Sequence, residues 1–237
     1  MQFLAHRNVQ PELMDQPELD EAEHQAALVG LQRVNLVSGV ALMMWRRLKR
    51  LAQTYSADRP MRVLDVACGG GDVAVQLASW AQASGLPMQI HGCDFSPRAI
   101  RHAEASARER QVPGIQFFQL DVLNDPFPDR FDVIICSLFL HHLRDLEAVT
   151  VLKKMAAAAQ RAVLVDDLLR SYLGFFFCLI GSRVLSRSRI VHLDGLQSVR
   201  AAFTLNEAQS LAHQSGLEGA RFQTRWPERF FMSWTLQ

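Results

Sequence analysis

Three glycines stand between two acids in the stretch VLDVACGGGD, residues 63–72. Glycine loops of this kind let a protein backbone approach a ligand closely. The two acids, Asp65 and Asp72, restrict which ligand that is, because like charges within about 4–6 Å disfavour each other. The loop is therefore expected to bind a group that has cationic character and carries no phosphate.

Two phosphate-binding loops share features with this stretch, and both are disfavoured. Gly69, Gly71 and Ala74 satisfy the G-x-G-x-x-G/A pattern of dinucleotide sites, where a pyrophosphate lies at a helix N-terminus. Asp72 already complements the dipole in that first turn. No Gly-Lys-Ser/Thr follows, so the loop is not a Walker A loop. A nicotinamide oxidoreductase is thus the disfavoured alternative.

S-adenosylmethionine meets the charge requirement, since it has a sulfonium and an ammonium group and no phosphate. Asp65 is expected to attract the ammonium end, directly or through water. Asp94, in CDFS, follows Gly71 at about the 20-residue offset at which an acid meets ribose hydroxyls. Asp121, in QLDV, is expected to accept from the adenine amino group. The residues predicted to bind the cofactor are Asp65, Ala67, Cys68, Gly69, Gly71, Asp94, Phe95, Asp121, Val122, Ser137 and Arg33.

Histidines are the candidate catalytic residues, and the two selected are His142 and His192. His141 and His142 follow the fourth predicted strand, and only one of two adjacent side chains is expected to face a pocket. His192 has Asp194 two residues on, an arrangement that would orient an imidazole; the alternative is a polar loop that caps a helix. A base here would contribute about 10²–10⁴-fold.

Composition narrows the class of protein. The 237 residues carry a formal net charge of +1, which gives no indication of nucleic-acid binding. The four cysteines are scattered singly, without the spacing of a zinc site or a disulfide framework, so no metal is predicted. Reduced cysteines predict a cytoplasmic protein.

Strands and helices alternate from residue 61 onward. RVLDVAC, MQIHGCDF, IQFFQLDV, FDVIICSLFLHHL and RAVLVDDLL are apolar runs separated by helical patterns, which predicts a parallel sheet covered on both faces. LEGARFQTRW and RFFMSWTLQ are expected to close it as an antiparallel pair with Pro227 in the turn. Ligands bind at the carboxyl ends of such strands, where the acids and Ser137 lie.

These motifs resemble those of the class I S-adenosylmethionine-dependent methyltransferases. VLDVACGGGD is similar to motif I, and CDFS and QLDV to the segments with the ribose and adenine acids. The resemblance covers roughly residues 60–168, and it is greatest to small-molecule enzymes of quinone biosynthesis and natural-product O-methylation. It implies a Rossmann-like doubly wound α/β fold of seven strands, mostly parallel with an antiparallel final strand. The Asn/Asp-Pro-Pro-Tyr/Phe motif of amino-directed nucleic-acid methyltransferases is absent, since the matching strand reads CSLF.

Two segments lie outside the shared pattern. Residues 1–60 are predicted to form a helical cap over the cofactor, with Arg33 as a partner of the methionyl carboxylate or as a surface arginine. Residues 170–203, inserted in the 61–237 methyltransferase domain, combine the apolar YLGFFFCLIG with several arginines. This insertion is expected either to roof a hydrophobic acceptor and touch a membrane surface, or to form a core helix with a solvated basic face.

The predicted activity is methyl transfer from S-adenosylmethionine to a hydrophobic small molecule, with a phenolic hydroxyl of a polyketide, quinone precursor or lipid-like aromatic as acceptor. Methylation of carbon or nitrogen remains an alternative. So does a non-catalytic partner protein that only binds the cofactor, because a binding loop shows binding and not turnover. The sequence leaves open whether the chain is a monomer or a homodimer.

Overall fold

The computed structural model describes residues 3–16, 18–55 and 58–236. Within them, seven strands form a sheet in the order β3-β2-β1-β4-β5-β7-β6. β7 runs antiparallel to both of its neighbours, and the pairs formed by the first five strands are all parallel. The strands are β1 Met61–Val66, β2 Met88–Asp94, β3 Gln116–Gln119, β4 Phe131–Ser137, β5 Ala159–Leu168, β6 Arg221–Arg225 and β7 Arg229–Thr235. The predicted mostly parallel sheet with an antiparallel final strand is confirmed.

Helices cover both faces of the sheet. They are α1 Glu21–Ser38, α2 Val40–Gln53, α3 Asp72–Ala83, α4 Pro97–Glu109, α5 Asp145–Ala158, α6 Tyr172–Leu185, α7 Arg189–Ala201 and α8 Leu205–Gln214. One buried cluster packs α5 and α8 on the sheet, and a second packs α2 and α3 on its other face. The apolar central strands predicted this burial, since they have a helix layer on either side.

The strand order reverses at β1. From β1 the chain runs outward to β2 and β3, then returns to place β4 on the other side of β1. At such a switch point the loops after neighbouring strands diverge and leave a crevice at the carboxyl ends. The motifs VLDVACGGGD, CDFS and CSLF therefore meet at one edge of the sheet.

The N-terminal segment forms two helices that break at one glycine. α1 passes through Gly30 without interruption and ends at Gly39, whose φ of 67° is left-handed and favours glycine. α2 then packs its buried face, which includes Met44 and Leu48, on the face of the sheet that α3 also covers. α1 instead packs on α6 and α7.

The insertion after β5 is helical, as predicted. α6 and α7 pack against each other. The segment around His192 and Asp194, for which a polar loop was the alternative, is part of helix α7. Arg170 anchors the base of the insertion: its buried guanidinium donates to Glu207 and to the carbonyls of Leu4 and Ala202. The insertion is thereby tied to both the N-terminal segment and α8.

Among the described residues, no single helix is both long and apolar enough to cross a membrane. α1 and α2 reach that length and composition only as a pair that is bent by 57°.

Candidate active site

A cavity of about 510 Å³ opens at the carboxyl ends of the strands. Its floor comes from the segments that follow β1, β2, β3 and β4. Its roof comes from the N-terminal segment, α1, α6 and α7. Most of the side chains predicted from sequence line it: Ala67, Cys68, Gly69, Asp94, Phe95, Asp121, Val122, Ser137 and His142. A wider depression of about 800 Å³ lies between α4 and the start of β3, on the opposite edge of the sheet, away from these residues.

The glycine loop runs from β1 into α3 and is held by the end of β2. Gly69 has a φ of 52°, and its N–H donates to Asp94 at 2.9 Å. A Cβ at Gly69 would meet no atom within 4 Å, so the loop faces open space there. Gly71 has a different role, because a Cβ there would lie 2.6 Å from Ala103, and Gly71 does not line the cavity. Gly70, which is not among the residues predicted to bind the cofactor, does line the cavity.

Asp65 lies beneath this loop in β1 and is 1% exposed. Neither of its carboxylate oxygens has a hydrogen-bond partner among the described residues. Burial raises the pKa of Asp65 well above its usual range, and Asp72 and Asp94 raise it further. An unpartnered buried carboxylate is unfavourable and calls for a donor or cation that is outside the chain.

Asp72 and Asp94 are both held by neighbouring groups. Asp72 opens α3 and accepts from the side chain of Asn35, 3.0 Å away on α1. Asp94 accepts from the N–H groups of Gly69 and Ser96, each at 2.9 Å. Burial raises the pKa of each of the two carboxyls, against hydrogen bonds that lower it. The loop is thus bordered by three buried or half-buried acids.

The rim beyond β3 is more open. Both oxygens of Asp121 are engaged within its own turn, accepting from Leu123 N–H at 3.0 Å and Asn124 Nδ2 at 2.8 Å. The Asn124 bond lowers the pKa of Asp121. The carbonyl of Val122 accepts from Lys154. Phe95 is 60% exposed at the mouth of the cavity.

At the far end of the cavity, both histidines of the pair after β4 line the wall. The expectation that only one of them faces the pocket is therefore wrong, because the two rings lie side by side with their centroids 4.3 Å apart and both reach the cavity. The Nδ1 of His141 is hydrogen-bonded to Asp167 at 2.6 Å, and both side chains are buried. Burial lowers the pKa of His141, but the Asp167 carboxylate and the more distant Glu12 outweigh it, so the pKa is raised.

Glu12 joins this histidine pair from the N-terminal segment. Its Oε1 lies 3.9 Å from the Nε2 of His141 and 3.9 Å from the Nε2 of His142. It also accepts from the hydroxyl of Ser198 on α7. Burial, with the neighbouring His141, lowers the pKa of His142 to about 3. The sequence carried no signal for Glu12, which is remote from every motif.

A buried arginine completes this end of the cavity. Arg229, at the start of β7, is 2% exposed and donates to Asp166 at 3.1 Å. Arg225 also pairs with Asp166. The Nε of Arg229 has no hydrogen-bond partner among the described residues. Its position as the charged first residue of the apolar run RFFMSW could have indicated that Arg229 is buried.

Four predicted residues are outside the cavity lining: Asp65, Gly71, His192 and Arg33. The Nε2–H of His192 donates to the Ser186 carbonyl, 2.8 Å away. Asp194 does not orient it, since the Asp194 carboxylate accepts from the N–H groups of Leu13 and Met14. Arg33 is exposed on α1. The α1 side chain that reaches the loop is Asn35.

Residues 63–161 match the family model described as a methyltransferase domain. Residues 63–161 therefore form a methyltransferase domain. The match spans β1 to β5, with the glycine loop, the acids and the histidine pair all inside it. The resemblance found from the motifs is confirmed, as is the Rossmann-like fold that it implied.

Curated relatives of this chain are named for quinone pathways. The chain is 32% identical over 123 residues to the ubiquinone biosynthesis O-methyltransferase of Albidiferax ferrireducens, covering 51% of this chain and 46% of that protein. It is 33% identical over 138 residues to the 2-phytyl-1,4-naphtoquinone methyltransferase of Synechococcus elongatus, covering 56% and 57%. The chain thus spans about half the length of the curated relatives it matches.

Solved structures share the fold over nearly the whole chain. Magnesium protoporphyrin IX methyltransferase from Synechocystis, with bound S-adenosylhomocysteine, has a TM-score of 0.58 at 18% identity, covering 94% of this chain and 90% of that one. An O-methyltransferase family 2 protein from Planctomyces limnophilus, in complex with apigenin, has a TM-score of 0.59 at 18% identity, covering 92% and 62%.

Proposed function

We propose that this chain transfers a methyl group from S-adenosylmethionine to a hydrophobic small molecule, with a phenolic hydroxyl of a quinone precursor, polyketide or lipid-like aromatic as acceptor. One observation carries the proposal. A single cavity joins an acid-bordered glycine loop to a buried histidine pair beneath a largely apolar roof. The first end suits the cofactor, and the second suits an acceptor.

The residues of the loop fit the cofactor. Asp65 has two unpartnered oxygens that a cation or donor would satisfy, and Gly69 leaves open space above the backbone. Asp94 would bind the ribose hydroxyls with the lone pairs that its two backbone bonds leave free. Asp121, Val122 and Phe95 would surround the adenine. When bound, the cofactor supplies a methyl group on a positively charged sulfur.

Apolar side chains dominate the rest of the cavity wall. Met14, Leu28 and Leu31 come from the N-terminal side, and Phe139 and Leu143 from the segment after β4. A chamber of this kind holds an aromatic acceptor by burial of apolar surface, and a few polar groups set its orientation. The relatives named for quinone pathways support an acceptor of this class.

His142 and its neighbour His141 are proposed to contact the acceptor's reacting group. Oxygen methylation forms an O–C bond as the C–S bond breaks, which leaves S-adenosylhomocysteine, and the hydroxyl gives its proton to solvent. The role of the protein is to place that oxygen about 3–3.5 Å from the methyl carbon and in line with the breaking bond. The roof excludes water while this happens. His192 has no proposed contact with the acceptor, since it bonds to Ser186 instead.

Residues 1–60 and 170–203 are proposed to act as the cap and the substrate lid of the 61–237 domain. Glu12, α1, α6 and α7 all contribute to the cavity wall, so an acceptor enters only past these elements. A mobile lid of this kind commonly controls product release. A cytoplasmic location is retained as part of the proposal.

The lid also supports the predicted peripheral membrane contact. Tyr172, Phe176, Ile180 and Val184 stand four residues apart on α6 and are 48–76% exposed. The arginines beside this face, at 183, 187 and 189, are exposed, and residues 170–193 contain no acid. An apolar stripe with a basic end fits an anionic lipid surface.

Turnover with radiolabelled S-adenosylmethionine tests the proposal. Purified chain is incubated with a panel of phenols, catechols and hydroxyquinones of graded hydrophobicity. We expect methylated product from the apolar aromatic members, and mass and NMR analysis of the product identifies the atom methylated. Binding of S-adenosylhomocysteine without turnover on any acceptor would indicate a non-catalytic cofactor-binding protein.

A further inference from the structure

We propose that Glu12, His141 and His142 bind a divalent transition-metal ion of the zinc class. One ligand atom from each residue lies within 4.8 Å of the others. Glu12 and His141 are buried, and His142 is largely buried. The binding does not depend on the proposed function, but the role given to the ion below rests on it.

The histidines are arranged as metal ligands are. His141 is hydrogen-bonded at Nδ1 to Asp167, which leaves Nε2 directed toward Glu12. The Nε2 of His142 also lies toward Glu12. A metal-binding histidine usually donates its second ring N–H to a carboxylate or a carbonyl, which orients the ring. Asp167 is such a partner for His141.

Glu12 has a comparable outer partner. Its carboxylate accepts from the hydroxyl of Ser198. This hydrogen bond fixes a carboxylate that comes from a segment remote in sequence from the histidines. Three donors are brought together from two segments, and outer hydrogen bonds hold Glu12 and His141, which distinguishes the cluster from an acidic surface patch.

The charges around the cluster favour a cation. Three buried carboxylates lie around it, those of Glu12, Asp166 and Asp167. Two arginines, Arg225 and Arg229, pair with Asp166. A divalent cation bound between Glu12 and the histidines would be attracted by Glu12 and by the Asp167 carboxylate beside His141.

Two imidazole nitrogens and one carboxylate oxygen form a ligand set that binds Zn²⁺ and similar ions and leaves a coordination position open. The three ligand residues all line the cavity, so the open position faces the space assigned to the acceptor. An ion there would hold a hydroxyl oxygen and lower its pKa, so that the proton leaves to solvent before methyl transfer. The selectivity for a phenolic acceptor would then come from metal coordination.

The test uses full-length chain without an affinity histidine tag, stripped with a chelator and free of cofactor and acceptor. It is titrated with Zn²⁺ and, separately, with Co²⁺, and metal content and the Co²⁺ visible absorption are measured. We expect about one ion per chain and a Co²⁺ spectrum of low coordination number. Glu12→Gln and His142→Gln should each lose at least roughly 10-fold in affinity, and Asp167→Asn about 10- to 100-fold.

His192→Gln is the matched control, because it removes a histidine of the lid outside the cavity, and it should bind metal as the wild type does. Binding of S-adenosylhomocysteine by calorimetry shows that each variant is folded at the other end of the cavity. Absence of stoichiometric uptake by the wild type, or equal uptake by the wild type, Glu12→Gln and His142→Gln, would mean adventitious metal and overturn the inference.

The same samples separate this inference from the proposed function. Methyl transfer by chain that binds no metal would overturn the metal site and leave the methyltransferase activity standing. Stoichiometric metal binding that fails in the ligand variants would establish the site even if no acceptor on the panel is methylated. Restoration of activity to stripped chain by Zn²⁺ or Co²⁺ would support both.

Discussion

Asp94 links the glycine loop to the cavity through a single side chain. It accepts from the N–H groups of Gly69 and Ser96 and also lines the cavity wall. A ligand that donates two hydroxyls to this carboxylate therefore meets an acceptor that is already held in place. The residue is at once part of the fold and part of the proposed ribose site.

Asp94→Asn should weaken binding of S-adenosylhomocysteine by roughly 10- to 100-fold, because hydrogen bonds to a charged group contribute about 1.5–3 kcal/mol. Isothermal titration calorimetry measures this change. Asp129→Asn is the control, since Asp129 pairs with Arg62 outside the cavity. An affinity for Asp94→Asn equal to that of the control would contradict the ribose assignment.

Asp65 should make cofactor binding depend on pH. Its pKa is raised well above the usual range by burial and by Asp72 and Asp94, so the ligand-free chain keeps the carboxyl protonated over a wider pH range. A cation beside it favours the ionised form, so binding releases a proton between the usual pKa and the raised one. Affinity for S-adenosylhomocysteine should therefore rise with pH across that window and level off above it.

Calorimetry in two buffers of different ionisation enthalpy measures this proton release. In Asp65→Asn, the affinity should be lower and its rise with pH should be reduced, with only the contributions of Asp72 and Asp94 remaining. A variant with the same pH profile as the wild type would show that Asp65 does not face the cationic end of the cofactor.

At the scale of elements, the closeness of α1 to the lid depends on a glycine. A Cβ at Gly30 would overlap with the Ser186 side chain at the junction of α6 and α7 and would lie 3.1 Å from Val191. α1 also supplies Leu28, Leu31 and Asn35 to the cavity wall. Separation of α1 from the lid would thus alter the cavity as well as the packing.

Gly30→Val should lower the free energy of unfolding by about 1–3 kcal/mol through overpacking, and weaken cofactor binding with it. Gly181→Ala is the matched control in α6, since a Cβ there meets no atom within 4 Å. It should be neutral or stabilise by up to about 1 kcal/mol. Chemical denaturation measures both changes, and equal effects of the two variants would contradict close packing at Gly30.

The exposed face of α6 provides a second test at this scale. The double variant Phe176→Ser and Ile180→Ser should lose most of its binding to vesicles that contain anionic lipid, because both side chains stand on the apolar stripe. Leu146→Ser, an exposed leucine at the start of α5, is the control. Co-sedimentation measures the bound fraction, and wild-type chain that stays in the supernatant would remove the proposed membrane contact.

For the whole molecule, ligand binding should appear as thermal stabilisation. A saturating ligand at about 100 times its dissociation constant stabilises the native state by about 2.7 kcal/mol, which for a chain of this size raises the Tm by roughly 5–10 °C. Differential scanning fluorimetry with S-adenosylhomocysteine should show this rise, and NAD should show none. Stabilisation by NAD and not by S-adenosylhomocysteine would reverse the assignment of the loop.

The sheet, the order of the motifs along the chain and the charge of the cofactor loop could all be predicted from the sequence. These follow from local patterns: apolar runs between helical periods, a glycine loop and acids at strand ends. Several strands are shorter than the predicted runs, and β3 ends at Gln119 because Leu120–Val122 turn into the cavity rim.

The partners of each histidine could not be predicted, because they come from segments that meet only in the folded chain. Asp167 and Glu12 reach the His141 and His142 pair from segments 26 and 129 or more residues away, whereas His192 and its neighbour Asp194 in sequence bond elsewhere. Spacing along a chain predicts contacts within a helix, a strand or a turn. Contacts between remote segments depend on how the elements pack, and here that packing is set by α1 and the lid.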